Sequence, residues 1–231
     1  MKKILLLFVL ILTASVYSQN KDAGKILKNV KDRFEKVKDY QVDVVAKLDM
    51  EFVKVPESSA TVYFKQPDKF KIVPKGFSMI PKQSMNFSPA QLLKGDYTSV
   101  FVRSEVLDKT KMDVVKIIPN ADTSEVILST MWIDQAESII KKVETTTKHG
   151  GTVTTEFSYD AKSIPLPATL KFSFNMGEVK IPDVNNAKEN DNKKNMGRPT
   201  RIKGTVLMTY SNYKINKGVP DSIFEEKKKE K

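Results

Sequence analysis

The stretch that decides the fold is YQVDVVAKLDM, residues 40–50. Its even-numbered positions from Val42 to Met50 are apolar, and its odd-numbered positions are polar apart from Val45. A period of two is typical of a strand that has one face on a core and the other face in water. We therefore predict a half-buried strand here, in a sheet with one solvated face.

The same alternation returns along most of the chain. It predicts further strands at 60–65, 70–72, 97–103, 112–118, 126–134, 139–147, 152–159, 168–175 and 202–213. Turn residues at 56–58 and 66–68 indicate that the first three strands form an antiparallel meander, and the adjacent glycines of His149-Gly150-Gly151 suit a tight hairpin turn. About ten closely spaced strands favour an all-antiparallel sheet or barrel over βαβ units.

One amphipathic helix precedes the strands. Between Asp22 and Tyr40 the apolar residues recur at three- and four-residue spacing, and lysines and acids occupy the opposite face. Asn20 and Asp22 are the candidate N-caps. The chain is therefore predicted to be mainly β, in the α+β class.

Residues 1–18 have the pattern of a secretory signal peptide. Lys2 and Lys3 give a positive start, residues 4–12 are apolar, and small to moderate residues stand at 16–18. The apolar run falls short of the ~20 residues of a spanning helix, which disfavours the alternative of an uncleaved anchor. We expect export with cleavage between Ser18 and Gln19, then a single domain at 19–226 that contains a flexible polar loop at 177–199, and a charged tail at 227–231.

Composition excludes several kinds of chemistry. The 231 residues include 39 basic and 28 acidic ones, a formal net charge of +11, with one histidine and no cysteine. Disulfides, thiolate nucleophiles, cysteine-bound metals and histidine-rich metal sites are therefore excluded. Lysine so dispersed is typical of a solvated surface, and export argues against a nucleic acid partner, whereas weak attraction to anionic lipid surfaces stays open.

No residue pattern indicates catalysis. His149 lies in a polar turn without a neighbouring nucleophile, and acid pairs such as Asp134 with Glu137 are more readily explained as solvated charges. The sequence contains no G-x-S-x-G elbow, no glycine-rich phosphate loop and no EF-hand spacing. We expect a protein that is not an enzyme and that needs no cofactor or metal.

The predicted strands carry more apolar surface than the rest of the chain can cover. Besides the helix, the available cover is residues 75–95, which lack alternation and contain Ser88-Pro89 as the start of a short helix. A sheet curled around the helix, with this segment as a lid, would enclose an apolar cavity, although the same residues could simply fill a core. The candidates for lining the cavity and its lid are Met50, Phe64, Phe70, Ile72, Phe77, Met79, Ile80, Met85, Phe87, Leu92, Leu93, Met112, Leu128, Trp132, Leu170, Phe172, Phe174 and Met208.

Several features in this order resemble a known family. They are the opening helix that ends near Lys38-Asp39-Tyr40, the stretch FKQPDKF at 64–70, the proline-containing cover segment, and the strand MWID at 131–134 followed by IIKKV at 139–143. Between Asp22 and Phe224 the chain resembles the LolA-like outer-membrane lipoprotein carrier and sorting family.

The resemblance implies an incomplete antiparallel β-barrel with a helical lid, located in the periplasm. Such carriers accept a lipoprotein from an inner-membrane ABC-type exporter, shield its acyl chains and deliver it to the outer membrane. Two features depart from the best-known carriers: Gln66 stands where they have a basic residue that ties lid to barrel, and the polar loop 177–199 is long. The neutral amide of Gln66 can still hydrogen-bond to the lid backbone, so Gln66 is the candidate lid contact. An alternative on the same scaffold is an envelope-stress sensor that detects lipid or lipoprotein. A hydrolase would need an acid pair, or a serine with His149.

Overall fold

The computed structural model describes residues 21–50, 53–54, 56–76, 93–148, 151–160, 164–180 and 199–225. These residues form the helix α1 (Ala23–Phe34) and the strands β1 (Asp39–Met50), β2 (Val53–Lys54), β3 (Ser58–Lys65), β4 (Lys69–Lys75), β5 (Tyr97–Leu107), β6 (Thr110–Pro119), β7 (Val126–Asp134), β8 (Ile139–Thr147), β9 (Gly151–Ser158), β10 (Thr169–Lys180) and β11 (Pro199–Ile215), with a 3₁₀ turn at Asp221–Ile223.

The strands form one antiparallel sheet in the order β4-β3-β1-β11-β10-β9-β8-β7-β6-β5, and β2 pairs with the end of β1. Neighbours along the sheet follow one another along the chain, except that the two-residue strand β2 lies between β1 and β3 and that β11 pairs with β1. The sheet ends at β4 and β5, which do not pair with each other, so it stays an incomplete barrel, as predicted. The chain that joins the two edges begins at Gly76 and includes the segment expected to be the lid.

The helix begins where its predicted cap lies. The Asp22 carboxylate accepts hydrogen bonds from the backbone N–H groups of Gly24 (2.8 Å) and Lys25 (3.3 Å), two donors that a helix start leaves without partners. The predicted end at Tyr40 was wrong: α1 ends at Phe34, because from Asp39 onward the backbone pairs with β3. Within the described part of the chain, no helix combines the length and apolar character needed to cross a bilayer.

The predicted strands are present, and the first three pair as a meander. The predicted start of the polar loop at 177 was wrong, because β10 continues to Lys180 and pairs there with Pro199 of β11. Backbone pairing satisfies polar main-chain groups whatever the side chains are, so a polar sequence can extend a hairpin. The signal segment 1–18, Asn20, His149, Gly150, residues 77–92 and 181–198, and the tail 227–231 lie outside the described residues.

Candidate functional site

One end of the concave face of the sheet is filled by the helix. Leu27, Val30 and Phe34 on the buried side of α1 belong to the same core cluster as the inward side chains of the central strands. Those inward side chains are almost fully excluded from solvent; the larger ones with less than 2% exposure are Met131, Ile133, Ile140, Leu170 and Met208. This end of the half-barrel is a packed core.

The other end of the same face is only partly filled. Phe172 lies two residues beyond Leu170 on the same face of β10 and is half-buried, and Val153 of β9 is also half-buried. A cavity of about 510 Å³ opens here, within the ~300–1,000 Å³ range of ligand sites. Its apolar wall includes Tyr97, Ile117, Pro119, Ala121, Val126, Val143, Val153 and Phe172.

The polar groups of this cavity fall into two sets. Hydroxyl groups of the sheet line part of the wall, and the Ser129 Oγ and Thr145 Oγ1 atoms hydrogen-bond to each other at 3.1 Å. The charged lining residues, Lys94 and Asp96, are exposed and lie in the segment that leads into β5. The sheet therefore offers a wall of apolar groups and hydroxyls, with charge confined to one border.

The inner face continues past Phe172 to Phe174, where β10 lies beside Gly204 of β11. A Cβ atom at Gly204 would stand 2.4 Å from Phe174 Cζ and 3.0 Å from Met50 Cγ, closer than side chains tolerate. Any larger residue at this position would force the Phe174 ring or the Met50 side chain to move, because both lie directly over the Gly204 backbone. Two predicted lining residues, from β10 and β1, thus meet across β11.

A second cavity, of about 410 Å³, lies at the C-terminal end of the helix. It is lined by Phe34, Phe64, Leu93 and Gln66 among others, and it shares Lys94 and Gly95 with the first cavity. The two cavities therefore border the same short segment before β5.

Gln66 was predicted to contact the lid, and its side chain bonds to the backbone that follows α1. The Gln66 Nε2 atom donates to the carbonyl oxygens of Glu35 (2.9 Å) and Val37 (3.0 Å), and Lys38 Nζ donates to Gln66 Oε1 at 3.4 Å. These bonds satisfy two carbonyls that the end of the helix leaves without helical partners. A neutral amide thus ties the β3–β4 turn to the helix terminus.

The predicted lining residues fall into three groups. Those that belong to the inner cluster or pack against it are Phe64, Phe70, Ile72, Leu93, Leu170, Phe172 and Met208, and Met50 and Phe174 join them over Gly204. Those that lie on the outer face are Met112 and Trp132 and, by strand alternation, Leu128. Those that lie outside the described residues are Phe77, Met79, Ile80, Met85, Phe87 and Leu92.

Met112 and Trp132 form a separate cluster with Val114 and Leu107 on the convex side of the sheet. The Trp132 indole N–H donates to Glu105, and the Lys142 Nζ atom lies 4.5 Å from the centre of a Trp132 ring. Both faces of β6 and β7 carry apolar side chains, so hydrophobicity did not distinguish inward from outward positions there. We do not include these two residues in the cavity.

Sequence analysis missed part of the cavity wall. Val126, Ser129, Val143, Thr145, Val153 and Thr155 line the 510 Å³ cavity, and none was proposed. The alternation along β8 and β9 could have identified these residues, since Val143 and Thr145 share one face of the sheet, as do Val153 and Thr155. The prediction missed these smaller residues because it favoured large Met and Phe side chains.

The inner face also holds a cluster of tyrosines that do not titrate near neutral pH. Burial raises the pKa of Tyr40, Tyr159, Tyr210 and Tyr213 well above the ordinary range of a phenol. The hydroxyl groups of Tyr159, Tyr210 and Tyr213 act as donors; Tyr213, for example, donates to the carbonyl of Pro167 at 2.8 Å. Among the described residues no group of three or more metal-ligating side chains comes together.

No protein-family model matches the chain, and no curated protein matches it. Solved structures do match most of its length. A DUF1329 family protein from Desulfovibrio piger is 12% identical, with 89% of this chain and 98% of that chain covered and a TM-score of 0.56. A domain from Vibrio parahaemolyticus, provisionally described as an outer membrane lipoprotein-sorting protein, is 11% identical over 88% of this chain and 97% of that one, with a TM-score of 0.58.

A LolA superfamily protein from Nitrosomonas europaea is 15% identical, with 89% of this chain and 98% of that chain covered and a TM-score of 0.53. Likeness at such low identity concerns the fold, which does not by itself define a function. The chain has a LolA-like fold, as the sequence resemblance predicted: an open antiparallel half-barrel that holds a helix against its concave face.

Proposed function

We propose that this protein is a periplasmic carrier that shields the acyl chains of lipoproteins in its concave cavity and delivers them toward the outer membrane. The observation that carries the proposal is the half-filled inner face: beyond the helix, Phe172 and Val153 stay half-buried beside a cavity of about 510 Å³. Apolar side chains that a fold leaves partly uncovered on a concave surface are suited to an apolar ligand.

The energetic gain from such a site is large. Each buried methylene group is worth about 0.8 kcal/mol, so a chain of about sixteen carbons gains on the order of 12 kcal/mol when it leaves water. The aromatic rings of Phe172 and Phe174 and the flexible Met50 side chain can adapt to a guest of irregular shape. A wall without charge on the strands avoids the cost of desolvating ions.

In this proposal the segment 1–18 directs export and is removed, and residues 19–226 act as one carrier domain. The empty protein would receive cargo from an inner-membrane ABC-type exporter, and the loaded protein would release it to an outer-membrane acceptor or to the membrane itself. Release requires only an acceptor that binds the acyl chains more tightly, so the protein itself performs no covalent chemistry.

Uptake of a fluorescent fatty acid by two neighbouring variants tests the site. Phe172→Asp places a charge on the cavity wall and should abolish uptake, because an unpaired carboxylate in an apolar site is costly. The matched control, Lys171→Asp, changes an exposed side chain on the opposite face of β10 and should leave uptake near normal. Equal effects of the two variants, or no uptake by the unmodified protein, would argue against the cavity.

A transfer assay tests delivery separately. Purified protein loaded with an acylated lipoprotein is mixed with outer-membrane vesicles, and the lipoprotein recovered in the vesicles is measured. A carrier should deliver its cargo faster than the lipoprotein leaves detergent alone. Binding without onward transfer would instead fit a lipid or lipoprotein sensor.

A further inference from the structure

The two free edges of the open sheet differ in chemistry. The β4 edge is short and carries Lys69, Lys71 and Lys75 together with Pro74. Lysine and proline on an edge strand hinder pairing with another chain. The other edge, β5, has eleven residues, YTSVFVRSEVL, with no lysine and no proline. The β4 edge therefore carries more of the features that hinder pairing than β5 does, and on β5 one irregularity at Val102 interrupts the pairing with β6.

The β5 strand also exposes large apolar side chains. Val100, Val102 and Val106 are 48%, 39% and 67% exposed. On the next strand, Ile118 is 43% exposed and pairs with Thr98 of β5. A long edge strand with several exposed valines is the kind of surface on which another strand can add.

The charges on β5 indicate which strand would fit. Arg103 and Glu105 both lie on the outer face, and the Arg103 Nε atom is 2.6 Å from Glu105 Oε2 within the chain. If a second β5 pairs antiparallel with its two-fold axis at Ser104, each Arg103 stands opposite the Glu105 of the other copy. Shifting the axis by one residue sets Arg103 opposite Arg103, or Glu105 opposite Glu105. The strand is thus complementary to itself in one register.

We propose that two copies of this chain associate through β5, with the edge strands antiparallel and the two-fold axis at Ser104. The sheet of one copy then continues into the sheet of the other, and the N–H and C=O groups that each β5 does not direct toward β6 become paired across the axis. A single strand pair is a small interface, so the association should depend on protein concentration. The inference does not depend on the cavity, because neither Arg103 nor Glu105 lines it.

Sedimentation velocity over a range of protein concentrations tests this dimer by charge reversal. Arg103→Glu and Glu105→Arg should each weaken dimerisation about tenfold, since each creates two like-charge contacts across the axis. The double variant carrying both substitutions exchanges the charges and should restore the dimer. Lys171→Glu is the matched control: it reverses a charge beside Glu156 on a strand paired on both sides, and it should leave dimerisation unchanged.

Val106→Lys should leave folding unaffected, because the Val106 side chain is 67% exposed. It should weaken the dimer to a similar extent while circular dichroism and fatty-acid uptake stay as in the unmodified protein. The proposal would be overturned if the protein stayed monomeric at every concentration. It would also be overturned if the protein stayed monomeric and its β5 strand bound an unrelated extended peptide instead. A dimer that none of the β5 substitutions weakens, or that the double variant fails to restore, would also overturn it.

Discussion

The two ends of the concave face differ in what fills them, although the same strands build both. On β10, Leu170 is fully buried in the core cluster, while Phe172, two residues along on the same face, is half-buried beside a cavity. A helix of 12 residues is about 18 Å long, whereas a strand of 12 residues spans about 40 Å. Strand alternation thus produces an apolar face along the whole sheet, but the helix can complete a core over only part of it.

The largest expected effect comes from opening the filled end. Leu27 is 2% exposed on the inward side of α1, so Leu27→Ala leaves a cavity in the core and should lower the free energy of unfolding by about 2–5 kcal/mol. Urea denaturation measures the change. Lys25→Ala, at an exposed position on the same helix, should change it by less than about 0.5 kcal/mol. Similar losses in the two variants would mean that the helix does not complete a core.

A pair of substitutions on β10 compares the two ends directly. Leu170→Ala should cost about 2–5 kcal/mol of stability and leave fatty-acid affinity nearly unchanged. Phe172→Ala should lower that affinity about tenfold, through loss of apolar contact with the guest, at a smaller cost in stability. Fluorescence titration and urea denaturation give the two quantities. If Leu170→Ala impaired binding more than Phe172→Ala in the folded proteins, the division of the face would be wrong.

Gln66 lies at the boundary of the filled end, beside the C-terminal end of the helix. Gln66→Ala removes the donor to the Glu35 and Val37 carbonyls and should lower the free energy of unfolding by about 1 kcal/mol. Gln66→Arg keeps a donor at this position and should recover part of the loss. Thermal unfolding of the three proteins distinguishes these outcomes; equal destabilisation by alanine and arginine would show that the donor is unimportant.

A smaller effect should appear on the outer face, behind the filled end. The Asp43 carboxylate accepts hydrogen bonds from Lys75, Asn212 and Thr61, which lower its pKa to about 2, with the Lys75 bond the largest cause. Because the folded pKa lies below the ordinary value, this stabilisation is present above about pH 4 and is lost as the pH falls toward about 2.

Asp43→Asn should therefore reduce the dependence of stability on pH in this acid range. The free energy of unfolding of both proteins, measured by urea denaturation between neutral and acid pH, gives the comparison. Fatty-acid uptake at neutral pH should not change, because the Asp43 side chain lies on the opposite face from the cavity. If the free energy of unfolding of the variant fell with pH as steeply as that of the unmodified protein, the pH dependence would come from other carboxylates.

Most of the fold could be predicted from local sequence patterns. Alternation placed Leu170, Phe172 and Phe174 on one face, and the helix cap at Asp22 was readable from residue type. Strand alternation could not show that β11 pairs with β1, because that contact joins distant parts of the chain. It also failed to orient Trp132, since the MWID strand is buried on both faces and contains an irregularity in its pairing with β8.

Photo-crosslinking can locate the bound fatty acid on the sheet. A fatty acid that carries a diazirine near the end of its chain is bound to the purified protein and activated, and the modified peptides are identified by mass spectrometry. Labels should appear on the inner positions of β9 and β10, Val153 and Phe172 above all, and none on the convex cluster around Trp132. Labels spread equally over both faces, or no labels above background, would contradict a binding cavity in the unfilled end of the half-barrel.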